Sequence, residues 1–206
     1  MVRVRHRIEN LFCWIIVWAT RKVMELSKLG LQSEGARTFA DYWQSLPKVD
    51  LIPMRTSFDP AAIKDLLPHM AIHDLSVPER IHVRLAGTSI VEGFGREIKD
   101  TDFLDYFEPE QRANALKYSS IVTDYPCGKV VRILVQTTSG SVLQDESIGF
   151  PMRDNNGLAN LIYYHGNRKP HADDANFDAR ADNAARLQVI ERLFIDIGSG
   201  VPALEL

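Results

Sequence analysis

The chain has 206 residues, 45% of them hydrophobic and 25% charged, with a formal net charge of −3 at pH 7. That size suits one compact domain with extensions, and the composition excludes disorder over most of the length. The small negative charge removes the general attraction to phosphate on which sequence-independent nucleic-acid binding relies, so no nucleic-acid partner is expected.

Two cysteines, Cys13 and Cys127, are too few for a disulfide framework or a Cys-based zinc site and fit a reducing compartment. Residues 1–23 form an apolar and basic extension, with Arg3, Arg5 and Arg7 ahead of the run Leu11 to Ala19. That run is shorter than the ~20 residues a membrane span needs. Three readings stay open: a start codon placed too early, with Met24 the true start; an interfacial helix with Trp14 and Trp18 at headgroup level, giving weak membrane association; and a signal peptide.

Residues 34–68 read as N-terminal flanking helices. In Ala36 to Leu46 the residues Phe39, Tyr42, Trp43 and Leu46 recur every three or four positions, which is one helical stripe, ended by Pro47. Asp59-Pro60 combines a capping acceptor with proline at a first helical position and opens a short helix over Ala61 to Leu67, closed by Pro68. Residues 69–168 read as the core. Met70 to Leu75 and Ile81 to Ala86 are predicted as a hairpin of two strands, followed by a helix over Ser89 to Phe94 capped by Thr88 and released by Gly95.

Asp102 to Phe107 is a helical turn. A longer helix runs from Pro109 to about Thr123, with Ala113, Leu116, Ser120 and Ile121 expected to face inward. Three strands follow, Lys129 to Thr138, Val142 to Met152 and Leu158 to His165, joined by turns at Ser139-Gly140 and Asp154 to Gly157. Residues 169–206 read as an acidic linker, Lys169 to Asp178, and a C-terminal helix, Ala181 to Ile197. Its apolar positions are Ala184, Leu187, Ile190, Leu193, Phe194 and Ile197.

The wording of these segments resembles the PAS domain family, in particular a bacterial single-domain PAS-like subgroup. Tyr42-Trp43, Asp59-Pro60, Leu66-Leu67-Pro68, Arg84 to Thr88 and Phe94 to Glu97 carry the likeness by their order and spacing. Where that family has a glycine after the Phe-Gly segment, this chain has Lys99-Asp100-Thr101. The resemblance implies an α+β fold: five antiparallel strands in spatial order 2-1-5-4-3, short helices on one face, and flanking N- and C-terminal helices. It also implies a cytoplasmic regulatory module of bacterial signal transduction rather than an enzyme; residues 1–23 leave a location at the inner membrane face as the alternative.

The cofactor is unknown. A haem-binding member would carry a histidine on the long helix, where this chain has none. A flavin photoreceptor would carry cysteine in an Asn-Cys-Arg segment, and Cys127 lies elsewhere, so haem and flavin are both disfavoured. His69 and His73, roughly 13 Å apart if both lie on a strand, cannot share a metal and are expected on an exposed face. His171, Asp173, Asp174 and Asp178 match no calcium-loop spacing. Asp145 and Glu146, adjacent on a strand, point to opposite faces and cannot act as a pair.

For a small ligand in the cradle, Arg132 and Gln136 are the candidate anchors if their face of the strand looks inward, with Tyr118 and Tyr163 as secondary candidates. The other reading puts Arg132 on the outer face or in a salt bridge to Asp145 or Glu146 on the next strand. The candidate interaction surface, toward a protein partner or a second copy, is Phe39, Tyr42 and Trp43 on the first helix and Leu187, Ile190 and Phe194 on the last. The rival class is a small α+β enzyme of cone-like or hot-dog shape acting on a hydrophobic substrate, which requires a titratable cluster deep in the cavity. A purely structural adaptor would have no cavity.

Overall fold

The computed structural model describes residues 29–170 and 183–202. The expectations for residues 1–23, for a start at Met24, and for His171 to Asp178 fall outside those residues. Helix α1 (Glu34–Ser45) begins where the Ser33 side chain accepts from the Ala36 N–H. Its apolar stripe buries Ala36, Phe39, Ala40 and Trp43. A small hairpin, β1 (Lys48–Val49) and β2 (Ile52–Pro53), turns through Asp50 and Leu51, both at positive φ. Asp59 then caps as expected, its carboxylate accepting from the Ala61 N–H at 2.9 Å. The helix it opens is of the tighter 3₁₀ kind, Pro60–His69, interrupted at Ile63 and running past Pro68 rather than closing at it.

Strands β3 (Met70–Asp74) and β4 (His82–Ala86) form the hairpin, with a bulge between Ile72 and His73. Helix α2 (Thr88–Phe94) is capped by Gly87, not Thr88, and Gly95 releases it at φ 62°. Asp100 adopts φ 66°, a conformation that glycine enters freely, in the segment where the family pattern carries one. A 3₁₀ turn over Phe103–Tyr106, capped by Asp102, leads into helix α3 (Pro109–Asp124). Its buried residues are Ala115, Ser119 and Val122, so the helix is rotated from the expected Ala113, Leu116, Ser120 and Ile121 stripe. Small and apolar residues lie on several sides of this helix, and the strands beneath it decide which side is covered.

Strands β5 (Cys127–Thr137), β6 (Val142–Met152), β7 (Leu161–Pro170) and β8 (Ala184–Asp196) complete the sheet. Its order is β4-β3-β7-β6-β5-β8, and every neighbouring pair is antiparallel. The sheet therefore has six strands rather than five, and the expected linker starts inside β7.

The sixth strand replaces the expected C-terminal helix. β8 pairs with β5 from Cys127↔Asp196 to Thr137↔Ala184, with register shifts that leave Ile190 and Ala185 without partners. Each bulge inserts one residue and reverses the alternation of faces. The β8 positions on the helix-roofed face thus fall at Ala184, Leu187, Val189, Arg192 and Phe194, spaced three, two, three and two apart, while Ile195 is buried on the α1 side. That spacing imitates a helical stripe although the backbone is extended.

The two sheet faces carry different layers. Ile148, Phe150, Met152, Leu161 and Tyr163 pack beneath α1, where the Trp43 ring stacks on Phe150 at 4.5 Å and its indole N–H donates to the Pro151 carbonyl. The opposite face is roofed by α2, the Phe103–Tyr106 turn and α3. α1, with Ile63 and Leu66 of the Pro60–His69 helix in the same layer, thus lies across the sheet from α2, the Phe103–Tyr106 turn and α3.

Candidate functional site

Between the sheet and its three-part helical roof lies a cavity of about 130 Å³. For comparison, an engineered apolar cavity of about 150 Å³ accommodates benzene. Ile81, Ile90, Phe94, Ile98, Phe103, Phe107 and Ile133 supply most of the apolar wall. The floor is the inward half of each strand's alternation: Lys129, Val131 and Ile133 of β5, Asp145 and Ser147 of β6, Tyr164 and Arg168 of β7, and Val189 and Arg192 of β8.

Lys129 is only 4% exposed. Its ammonium donates to Ser119 Oγ at 3.0 Å and to the Tyr118 carbonyl at 3.3 Å, and it lies 5.5 Å from the centre of the Tyr164 ring. Burial, and secondarily the Arg192 charge, pull its pKa down to about 7. Arg192, diagonal to it on β8, places its guanidinium 4.5 Å from the centre of the Tyr118 ring and is also lowered, chiefly by burial. Among the described residues no carboxylate is within ion-pair distance of either cation.

The other end is electrically balanced. Asp145 faces Arg168 at 3.7 Å and Ser147 Oγ at 3.2 Å; burial raises its carboxyl, an effect that Arg168 opposes. At 3.7 Å the pair is an ion pair but not a hydrogen bond, so the Arg168 Nε–H has no partner among the described residues. His73 is packed between Phe103 and Tyr164, and its Nδ1 likewise has no partner. Burial, reinforced by the Lys129 charge, lowers its pKa to about 3, so the ring is neutral.

Of the four expected ligand contacts, the structure places one near this cavity. Tyr118 stands at its rim through its carbonyl and its stacking on Arg192. Arg132 and Gln136 are on the opposite sheet face. Arg132 pairs with Glu146 at 2.9 Å and with Glu191, and donates to the carbonyls of Leu29 and Gly30. Gln136 is solvent-exposed. Tyr163 packs against Phe58 beneath α1, since odd-numbered β7 residues face that layer. The reading that pairs Arg132 with Glu146 away from the cavity is thus the one observed, and it follows from strand parity: Lys129, Val131, Ile133 and Val135 are the inward set of β5, and Arg132 and Gln136 fall between them.

The expected interaction residues are divided. Phe39 and Trp43 are core residues, 0% and 3% exposed, with no surface left for a partner. The Tyr42 hydroxyl donates to the Asp59 carbonyl and accepts from its N–H. Leu187 is buried, Phe194 is half-buried beside Tyr118, and Ile190 is 49% exposed at the β8 bulge. His73 is buried rather than exposed, because its strand position faces the cavity. Asp145 and Glu146 do point to opposite faces, one into the cavity and one toward Arg132.

Lys129, Arg168 and Arg192, which the sequence reading does not single out, line the cavity together with Asp145. The available signal was a lysine in step with Val131, Ile133 and Val135 on a strand, a phase that places its ammonium on an apolar face. Cys127 is buried at the start of β5, and burial pushes its thiol up to about 12, which leaves it protonated.

This architecture agrees with the sequence comparison: the PAS domain family matches residues 31–163, and the chain belongs to that family. No curated protein matches it. Among solved structures it is similar to a light-oxygen-voltage domain studied with a flavin analogue, at 15% identity and TM-score 0.43, covering 54% of this chain and 84% of that one. It is also similar to the Drosophila melanogaster Cycle PAS-B domain with bound glycerol, at 14% identity and TM-score 0.39, covering 48% and 98%. The light-state Aureochrome1 domain matches at 16% identity and TM-score 0.40, covering 55% and 88%.

Proposed function

We propose that this chain is a sensory module of bacterial signal transduction, acting in the cytoplasm, that binds a small molecule in its cradle and changes its association with a protein partner or a second copy. The observation that carries this reading is the cavity between the sheet and the helices: concave, mostly apolar, with a few inward polar groups, the usual form of a small-molecule site. Membership of a family of typically sensory modules supports regulation over catalysis. In this reading the buried titratable groups of the cavity are ligand contacts rather than an acid–base pair.

Strand β5 supplies the route to the output. Its odd residues line the cavity, while Arg132 on its reverse face holds the carbonyls of Leu29 and Gly30. A ligand biases such a device only by its different affinity for the two arrangements.

Native mass spectrometry of protein purified from its own host tests the reading. The expected result is a retained mass that is lost in Ala115→Phe, which fills the cavity, and whose release changes oligomeric state or partner capture. An empty chain whose association is unaffected by Ala115→Phe would refute it.

A further inference from the structure

The cavity is electrically lopsided. Among the described residues three cations face it, Lys129, Arg168 and Arg192, against one carboxylate, Asp145, which is already committed to Arg168. Lys129 and Ile133, the latter paired with Asp145, are four residues apart on β5, so the two ends lie about 13 Å apart at ~3.3 Å per residue. One end is therefore neutral as a pair. The other holds two unneutralised cations next to Ser119 and the Tyr118 carbonyl, with apolar wall between the ends.

Lys129 is buried and Arg192 partly buried; their like charges repel, and among the described residues neither has a carboxylate partner, so an entering anion relieves both conditions at once. The apolar wall disfavours a strongly hydrated dianion and favours a hydrocarbon body. From the geometry we infer that the ligand is a small organic monocarboxylate, its carboxylate held between Lys129 and Arg192 and its apolar body among Ile90, Phe94, Phe103 and Ile133. This rests on the small-molecule reading of the cradle proposed above and adds the chemical class of the occupant.

A carboxylate beside Lys129 favours its ammonium form, so binding near pH 7.5 takes up protons, because burial and the Arg192 charge leave that amine partly neutral.

Titration calorimetry of the intact chain with benzoate, its neutral isostere benzamide, and inorganic phosphate tests the assignment. Benzoate should bind at least tenfold tighter than benzamide, and phosphate more weakly than both. Repeating the benzoate titration in buffers of different ionisation enthalpy should show proton uptake. Lys129→Met, which keeps the aliphatic stem, should erase the preference for benzoate over benzamide and the proton uptake. Arg192→Met should reduce the preference and supplies the test should Lys129→Met fail to fold by circular dichroism.

Equal binding of benzoate and benzamide would overturn the anionic assignment while leaving the cradle as a small-molecule site. Phosphate binding as tightly as benzoate would overturn the hydrocarbon body. Binding of none of the three at millimolar concentration would overturn both the assignment and the accessible cradle on which it rests.

Discussion

Gly149 shows how a single side chain shapes the cavity floor. It lies between Lys129 and Tyr164 in the register, and a Cβ there would overlap the Tyr164 ring. Gly149→Ala must therefore move a buried aromatic ring that also borders His73, and such overpacking typically costs about 1–3 kcal/mol. A fall in the urea midpoint at unchanged slope is the expected readout.

His73 and His165 belong to the same scale. Burial lowers them to about 3 and about 4. Both pKa values are depressed below the unfolded value of roughly 6.5. Between those limits the unfolded chain binds the extra protons, so stability is full above pH ~6.5 and falls as pH drops toward 4, by up to ~1.4 kcal/mol per pH unit for each ring. Lys129 has the same sign in a higher window, with stability rising from pH ~7 toward the unfolded lysine value near 10.4. His73→Phe keeps a ring between Phe103 and Tyr164 and removes one titration. Its denaturation midpoint should depend less steeply on pH from 4 to 6.5 than that of the unsubstituted chain. Equal slopes would show that the His73 ring is charged in the fold.

Among the elements, β8 separates what sequence periodicity reveals from what it conceals. The Asp59 cap, the Gly95 release and the hairpins were legible because a local rule at each fixes the backbone. β8 was not, because its bulges at Ala185 and Ile190 break period two into threes and twos. For α3, the rotation depends on a sheet that forms elsewhere in the chain, so its own residues could not announce it. The face of β5 that looks inward stayed open in the sequence for a related reason: it is set by strands and helices elsewhere in the chain, and of the two readings the one that pairs Arg132 with Glu146 on the outer face is the one observed.

A substitution pair separates strand from helix at β8. Leu187 is buried against Ile133 and Val135, whereas Ile190 projects at the bulge. Leu187→Ala should cost about 2–4 kcal/mol and Ile190→Ala under about 0.5 kcal/mol in equilibrium unfolding. A helical stripe would make both costly, and comparable losses at the two sites would contradict the sheet order.

In the molecule as a whole, the two layers meet through Arg132. Its guanidinium pairs with the almost fully buried Glu146 and with Glu191, and holds the carbonyls of Leu29 and Gly30, while Glu146 accepts the Gln32 N–H at 2.8 Å. The segment ahead of α1 is therefore fastened to the reverse of the strand that lines the cavity. Removing only the cation, as in Arg132→Ala, leaves a buried carboxylate without its partner, a loss of about 3–5 kcal/mol. Replacing both members, Arg132→Leu with Glu146→Leu, removes that unpaired charge and should recover most of the stability. The fastening itself depends on donors and acceptors that leucine lacks. Hydrogen exchange at the Gln32 amide should therefore quicken in the double variant even though its urea midpoint returns toward that of the unsubstituted chain. Slow exchange at Gln32 in that variant would show that packing of Leu31, not the Arg132–Glu146 pair, holds the segment, and would remove the proposed path from cavity to output.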